Sequence, residues 1–253
     1  REIFTYLLRD MQAPDGGFAS AEDADSEEGE GRYYMWTRDE VCATLGSEEV
    51  EIFTRYFDIT RKGNFANSLS IPNLLSPRAS TLRIAGGETA EPAESDNAHP
   101  PCATEDMLAQ ACARLLEART KRPRPFRDDK VLTAWNGLVI TAFARGGRVL
   151  GEQEYVDVAE GTANFVLKTL RRPDGRLLAR YRKGEAAILA YLDDYAFFVQ
   201  GLFELWEAGF KSDYVQAAIE LTEQQIDLFW DKEDCGFYFT SHDSHELPVR
   251  RKD

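Results

Sequence analysis

The sequence predicts a mainly α-helical protein that forms part of an α/α toroid, in which half-exposed outer helices alternate with buried inner helices. Amphipathic helical segments alternate along the chain with segments that are apolar on almost every face. Acidic pairs precede two of the apolar segments about 65 residues apart, and a period of that size indicates a repeated unit. A helix, an acidic turn with glycine and a short strand also recur at residues 15–18, 174–177 and 234–237.

The chain begins with a helix followed by segments of strand character. Residues 2–11 form an amphipathic helix that ends at the turn signal of residues 13–17. Residues 18–21 and 32–36 are expected to be strands on either side of an acidic loop. The loop does not fit the calcium-binding EF-hand pattern, because the position that requires glycine holds Glu28. We therefore predict no metal site there.

Three further helices are predicted before the middle of the chain. Thr37 and Glu40 have the spacing of a capping box, which marks a helix start. Helices are also predicted over residues 47–57 and 104–120. Residues 88–101 are rich in Ala, Glu, Pro and Ser and are expected to be an exposed, poorly ordered loop.

The rest of the chain is organised around residues 127–137, with the sequence Arg-Asp-Asp-Lys-Val-Leu-Thr-Ala-Trp-Asn-Gly. Four charged residues directly precede a segment that shows no solvent-facing stripe as far as Ala144, which predicts a buried helix. We place the charged residues in its first turn, where the helix dipole favours carboxylates. Asn136 lies within the apolar run, and burial of an amide is costly unless it is hydrogen-bonded.

The second half of the chain repeats this organisation. An amphipathic helix is predicted over residues 155–170, followed by a short hairpin that turns at residues 183–184. Asp193 and Asp194 then precede a second apolar helix, and residues 213–229 form the next amphipathic one.

Composition excludes several classes of partner. The formal net charge of −14 argues against nucleic acid and anionic membrane surfaces, which attract clustered Lys and Arg. No apolar run reaches the roughly 18 residues of a spanning helix. The four cysteines form no Cys-x-x-Cys pair, so we expect core cysteines in a reducing, cytoplasmic environment. No nucleotide-binding, serine-hydrolase or zinc-protease motif is present, and we predict no cofactor.

Several long motifs resemble one family, the thioredoxin-domain-containing proteins of the spermatogenesis-associated protein 20 type. The motifs cover nearly the whole chain and comprise residues 15–26, 32–37, 63–65, 128–138, 192–197 and 249–253. The resemblance implies an (α/α)6 barrel similar to six-hairpin glycosidases and N-acylglucosamine 2-epimerases, with residues 1–253 as the first part of one barrel domain. It also implies a thioredoxin-like domain upstream of Arg1.

The chain departs from the epimerases in its histidines. Those enzymes move a proton with histidines, whereas His99, His242 and His245 all lie outside the predicted inner helices. A metal pair of His242 and His245 with Cys235 is an alternative, but exposed loop histidines are the simpler interpretation. We therefore expect any acid–base groups to be carboxylates and predict no metal.

The candidate catalytic residues are four aspartates, with Asp129 and Asp193 leading and Asp128 and Asp194 as their neighbours. Glycoside hydrolysis needs two carboxyl groups about 5–9.5 Å apart, one of them protonated. Adjacent acids provide this difference when repulsion and burial separate their pKa values. The alternative is that each aspartate caps its helix and pairs with a cation such as Arg127, Lys130 or Arg250.

Further side chains are predicted to contact a ligand. In this hypothesis Arg127 or Lys130 keeps one carboxylate ionised, and three aromatic rings offer platforms for sugars. The predicted ligand-binding residues are Arg127, Lys130, Trp135, Asn136, Tyr195, Trp36, Glu22 and Asp23.

Two functions remain open on the sequence alone. The chain is either an enzyme, active or formerly active, on a carbohydrate-like small molecule, or a non-catalytic barrel that docks or regulates the upstream thioredoxin-like domain.

Overall fold

The computed structural model describes residues 1–27, 29–65, 68–72, 102–244 and 250–252. The chain divides into two compact units: unit 1 comprises Arg1–Glu22 and Arg127–Asp253, and unit 2 comprises Asp23–Phe126. The predicted loop at 88–101 and the histidines at 99 and 245 lie outside the described residues.

The described residues are mainly helical. In chain order the elements are α1 (Glu2–Tyr6), which continues as a π-helical turn over Leu7–Met11, β1 (Ala21–Glu22), β2 (Asp25–Ser26), β3 (Gly29–Glu30), α2 (Arg38–Thr44), α3 (Ser47–Tyr56), α4 (Cys102–Thr120), β4 (Arg127–Asp128), β5 (Val131–Leu132), α5 (Thr133–Leu150), α6 (Gln153–Thr169), β6 (Leu178–Arg182), β7 (Glu185–Leu189), α7 (Leu192–Gly209) and α8 (Ser212–Phe229).

Unit 1 is built from repeated helical hairpins. Helix α5 packs against α6 and α7, and α7 packs against α8, so α5 and α7 are the inner pair. Helices α5 and α7 begin at Thr133 and Leu192, and α6 and α8 begin at Gln153 and Ser212, so both pairs are 59 positions apart. The predicted α/α hairpin architecture is confirmed. Its period is 59 rather than about 65, because the two acidic pairs do not occupy equivalent positions in the repeat.

The turn that follows each outer helix also recurs. Antiparallel β-bridges close it at Gln12 with Phe18, Arg171 with Leu177 and Trp230 with Phe237. The glycine in each turn has a positive φ of 89° to 106°, which side chains with a Cβ rarely adopt. The three turns predicted from the sequence therefore have the same structure.

Two small sheets lie at the amino-terminal ends of the inner helices. Strand β5 pairs with β6 and β6 with β7, all antiparallel, which confirms the predicted hairpin after α6. Strand β1 pairs antiparallel with β4, with Ala21 opposite Asp128.

The strand predicted over residues 32–36 does not form. Residues 32–34 lie in a turn, and Trp36 forms an isolated bridge with Ser70. The amide of Asp23 donates to the carbonyl of Phe126 at 2.8 Å, so the two ends of unit 2 are adjacent. Unit 2 is therefore an insertion between β1 and β4, and the partner of β1 comes from beyond it.

The sequence predicted that helix α5 is buried on every face, and this prediction is wrong. Ile140, Phe143 and Ala144 are fully buried, but Trp135 is 50% exposed and Leu138 is 42% exposed. The described residues cover one face of this helix and leave an apolar stripe open.

Unit 2 contains a small helical core of its own. Helices α2, α3 and α4 pack around Val41, Phe53 and Ala111. Cys42 and Cys112 are exposed rather than part of this core, because they lie on the outward faces of their helices. None of the described helices combines the length and hydropathy that crossing a membrane requires.

The predicted capping box at the start of α2 is confirmed. The Oγ1 atom of Thr37 accepts from the amide of Glu40 at 3.1 Å, and the Glu40 carboxylate accepts from the amide of Thr37 at 2.7 Å. We expect Thr37→Ala to lower the free energy of unfolding by about 1 kcal/mol, because one helical amide loses its acceptor. Urea unfolding measures this change, and an unaltered midpoint would contradict it.

Candidate functional site

Asp194 joins the first turns of the two inner helices. Its Oδ1 atom accepts from the amide of Ala134 in α5, and its Oδ2 atom accepts from the amide of Tyr191 just before α7, both at 2.8 Å. Amides at helix starts have no partner within the helix. One carboxylate therefore caps both helices and fixes where they begin relative to each other.

Burial of Asp194 perturbs its ionisation. The residue is 3% exposed, and desolvation raises the pKa of its carboxyl to about 7, with a smaller contribution from the neighbouring charge of Asp193. Both carboxylate oxygens accept backbone hydrogen bonds and the residue is almost fully buried, so the contacts of this group are those of a capping residue. Of the predicted catalytic residues, Asp194 is thus a capping residue, as the alternative interpretation holds.

Asp193 lies beside it in the first turn of α7. Its Oδ1 atom accepts from the amide of Asp194 at 3.0 Å, and the residue is half-buried. Because Asp194 holds the two helices together, Asp193 lies at the shared amino-terminal end of α5 and α7.

Asp129 lies between β4 and β5 and forms an ion pair with Arg182 at the end of β6. The pairing of β5 with β6 brings these residues together, and the Asp129 side chain remains 36% exposed. Asp128 pairs with Lys130 at 2.8 Å, and that ammonium lowers the pKa of the Asp128 carboxyl.

The placement of these charges in the first turn of α5 is wrong. Asp128 and Asp129 precede β5, and α5 begins only at Thr133, with no acidic residue in its first turn. The strand pairings of β4 and β5 hold residues 127–132 extended, so the helix starts later than the apolar run does. Asp194 supplies the carboxylate that this helix start lacks.

Two predicted ligand-binding residues have structural roles. Asn136 is 1% exposed; its Oδ1 accepts from the amide of Phe18 at 2.8 Å, and its Nδ2 donates to the carbonyls of Phe18 and Leu132. The buried amide is thereby hydrogen-bonded, as its position requires. Arg127 donates to the carbonyl of Asp10 at 3.0 Å.

Only one of the three predicted aromatic platforms is open to a ligand. Trp135 is half exposed in the first turn of α5. Tyr195 is 1% exposed and its hydroxyl accepts from the amide of Leu177 at 3.0 Å. Trp36 is 5% exposed, with the Arg122 guanidinium 3.9 Å from its ring centroid. The predictions for Tyr195 and Trp36 are wrong, because protein atoms cover both rings.

The acidic residues at the end of β1 and directly after it accept hydrogen bonds from other residues of the protein. Glu22 accepts from the Tyr6 hydroxyl at 3.1 Å, and the exposed Asp23 accepts from the amide of Asp25 at 3.2 Å. Arg250, an expected partner for an aspartate, instead donates to the carbonyl of Thr240 at 2.8 Å.

Sequence reasoning missed two arginines. Arg182 contacts Asp129, and Arg176 binds Asp243 at 2.5 Å, which lowers the pKa of that carboxyl. Arg182 ends the first strand of the predicted hairpin after α6 and Arg176 directly precedes that hairpin, but their partners are 53 and 67 positions away. The recurrence of acidic residues before each inner helix was a signal that these carboxylates need cations. The sequence does not show the strand register, which determines which arginine contacts which carboxylate.

Repeated α/α hairpins, with carboxylates where successive inner helices begin, place the protein in the α/α-toroid class. Over the part that it spans, the chain is a relative of spermatogenesis-associated protein 20, as its motifs predict. It is 32% identical to the human protein and 31% to the rat protein over 282 aligned residues, and 28% identical to the uncharacterized protein B0495.5 of Caenorhabditis elegans. The matches cover 98–99% of this chain but only 35–36% of each relative, so the chain spans about a third of their length. No family model matches.

Solved structures with similarity to the chain include two sugar-processing proteins. Cellobiose 2-epimerase from Bacillus thermoamylovorans is 12% identical with a TM-score of 0.43, covering 95% of this chain and 59% of its own. A family 105 glycoside hydrolase from C. acetobutylicum is 12% identical with a TM-score of 0.42, covering 60% and 48%. Since both TM-scores are low, the fold assignment rests on the repeated hairpins rather than on these structures.

Proposed function

We propose that unit 1 binds a carbohydrate-like small molecule at the amino-terminal ends of α5 and α7, with Asp129 and Asp193 as the contacting carboxylates. The observation that supports this most is the double cap formed by Asp194. It joins the starts of two inner helices and places the half-buried Asp193, whose Oδ1 atom accepts from the amide of Asp194, beside both of them.

The side chains near this end offer the chemistry that a polyhydroxylated ligand requires. Asp129 supplies acceptors, and the adjacent Arg182 supplies donors, so neighbouring hydroxyl groups find both kinds of partner. The exposed ring of Trp135 offers an apolar surface for the face of a sugar. In a reaction, Asp129 and Asp193 would be the acid–base pair, and Asp194 would be a positioning residue.

Binding studies on single variants test this proposal. We expect Asp129→Asn and Asp193→Asn each to weaken saccharide binding at least tenfold, because each replaces a charged acceptor at the site while leaving the melting temperature little changed. Titration calorimetry with a panel of mono- and disaccharides measures the affinities. Asp213→Asn is the matched control, since Asp213 is exposed at the start of α8, away from this end.

Two outcomes would contradict the proposal. The first is that no saccharide in the panel binds the unaltered protein. The second is that Asp129→Asn and Asp193→Asn lower stability but leave binding as strong as in Asp213→Asn, which would assign both carboxylates to capping and ion pairing.

The exposed apolar stripe of α5 favours a second candidate function. Trp135 and Leu138 offer a surface for another protein segment, as a docking or regulatory module for a thioredoxin-like domain requires. Thiol–disulfide exchange by that domain, with and without the barrel, discriminates the two functions. Identical exchange kinetics would count against the docking role.

A further inference from the structure

An open apolar groove runs between α7 and α8. Its volume is about 510 Å³, and its walls include Ala196, Val199 and Phe203 of α7 and Ile219 of α8. Phe203 is 47% exposed and Ile219 is 49% exposed. Large apolar side chains that are half exposed together on one face mark a surface that another element covers.

The repeat identifies which element covers such a face. A shift of 59 positions places Ala196, Val199 and Phe203 of α7 on Gly137, Ile140 and Ala144 of α5. In α5 this face is closed: Ile140 and Ala144 are 0% exposed. A Cβ atom on Gly137 would lie 2.5 Å from the backbone of Phe197, so α7 itself covers this face. On α5, this face is covered by α7. The equivalent face of α7, 59 positions later in the sequence, is open.

The α5–α7 contact also defines the direction of the covering helix. The cap by Asp194 joins the amino-terminal ends of the two helices, and ion pairs of Arg145 and Arg148 with Glu204 join them towards their carboxy-terminal ends. The two inner helices are therefore parallel. A helix that packs on α7 as α7 packs on α5 would therefore be parallel to α7.

We propose that this groove is the docking site of a further inner helix of the same repeat, supplied by the same polypeptide and parallel to α7. The contact would continue the α5–α7 interface by one repeat. In α7, Gly201 lies where the backbones of α5 and α7 come closest, and a Cβ atom added to it would lie 2.8 Å from the carbonyl oxygen of Gly137. The occupant would likewise have a small residue where its backbone comes closest to α7. Glu223 on the rim favours a basic residue on its flank. The inference does not depend on carbohydrate binding.

The length of the relatives supports an occupant from the same polypeptide. The matched region is 35% of human spermatogenesis-associated protein 20, so that protein has ample chain for further hairpins. A second copy of this chain is the competing occupant. The apolar stripe on α5 of that second copy would have to form the same contact between molecules, and such a head-to-tail contact builds rings or open filaments that dissociate on dilution.

Site-specific thiol labelling of the full-length gene product tests the proposal. The variants are Phe203→Cys and Ile219→Cys in the groove, with Asp157→Cys on the exposed face of α6 as the control. Mass spectrometry of the labelled peptides separates these sites from the native cysteines. We expect both groove positions to react at least tenfold more slowly than Asp157→Cys, at every protein concentration.

Two results would overturn the proposal. Labelling of both groove positions as fast as Asp157→Cys would show that nothing covers the groove. Protection that disappears on dilution, together with a concentration-dependent sedimentation coefficient, would assign the groove to a second copy. Oxidative footprinting of Phe203 in the unmodified protein provides the same readout without a substitution.

Discussion

We expect Asp194→Ala to lower the free energy of unfolding by about 2 to 4 kcal/mol, since the buried amide of Ala134 left without an acceptor costs about 1 to 3 kcal/mol and the partly buried amide of Tyr191 adds about 1 kcal/mol. The amides of Ala134 and Tyr191 both lose their acceptor. Urea unfolding followed by far-ultraviolet circular dichroism measures the loss.

The size of this loss depends on pH. Burial raises the pKa of the Asp194 carboxyl from 3.8 to about 7, so between these values the folded state keeps a proton that the unfolded state releases. The contribution of Asp194 to stability therefore falls as the pH rises through that window. The alanine variant does not titrate at this position. We expect the difference between the two proteins to be larger at pH 4.5 than at pH 7.5.

Asp213→Ala is the control for the effect of replacing any aspartate at a helix start with alanine. Asp213 is exposed in the first turn of α8, so we expect a loss of less than about 1 kcal/mol from the weaker helix-dipole interaction alone. Equal losses in the two alanine variants would contradict the double-cap role of Asp194.

The second large effect is expected at the crossing of α5 and α7. A Cβ atom on Gly137 would lie 2.5 to 2.6 Å from backbone atoms of Phe197 and Phe198, and a helix backbone cannot yield as a flexible side chain does. We therefore expect Gly137→Ala to destabilise unit 1 by more than about 2 kcal/mol, although alanine is the better helix former. Thermal and urea unfolding measure this loss.

Gly161→Ala in α6 is the matched control. A Cβ atom there meets nothing within 4 Å, so we expect a gain of about 0.5 to 1 kcal/mol from helix propensity. If both glycine substitutions stabilised the protein, the close approach of α5 to α7 would be refuted.

Local signals in the sequence predicted the elements well. The amphipathic periods located α6 and α8 closely, and the Thr37–Glu40 spacing located the start of α2, whereas α5 begins later than predicted. The three acidic turns with glycine were recognised because each needs a residue with positive φ at a fixed place. These features depend on residues that are neighbours in sequence.

The candidate site was predicted only in outline, because its contacts join residues distant in sequence. The aspartate pairs were identified, but Asp194 bonds an amide 60 positions away and Asp129 pairs with a cation 53 positions away. The burial of Tyr195 and Trp36 likewise depends on elements whose placement no local period encodes. An aromatic residue beside an acidic pair therefore did not distinguish a ligand platform from a core residue.

The insertion of unit 2 has a consequence for how the chain folds. The hairpin of β6 and β7 turns within a few residues, whereas β1 can meet β4 only after the intervening residues 23–126 have brought their own ends together. Closing a long loop costs more entropy than closing a short one, and contacts distant in sequence slow folding. The carboxy-terminal hairpins are thus placed to form first, and the β1–β4 pairing should appear as a late kinetic phase.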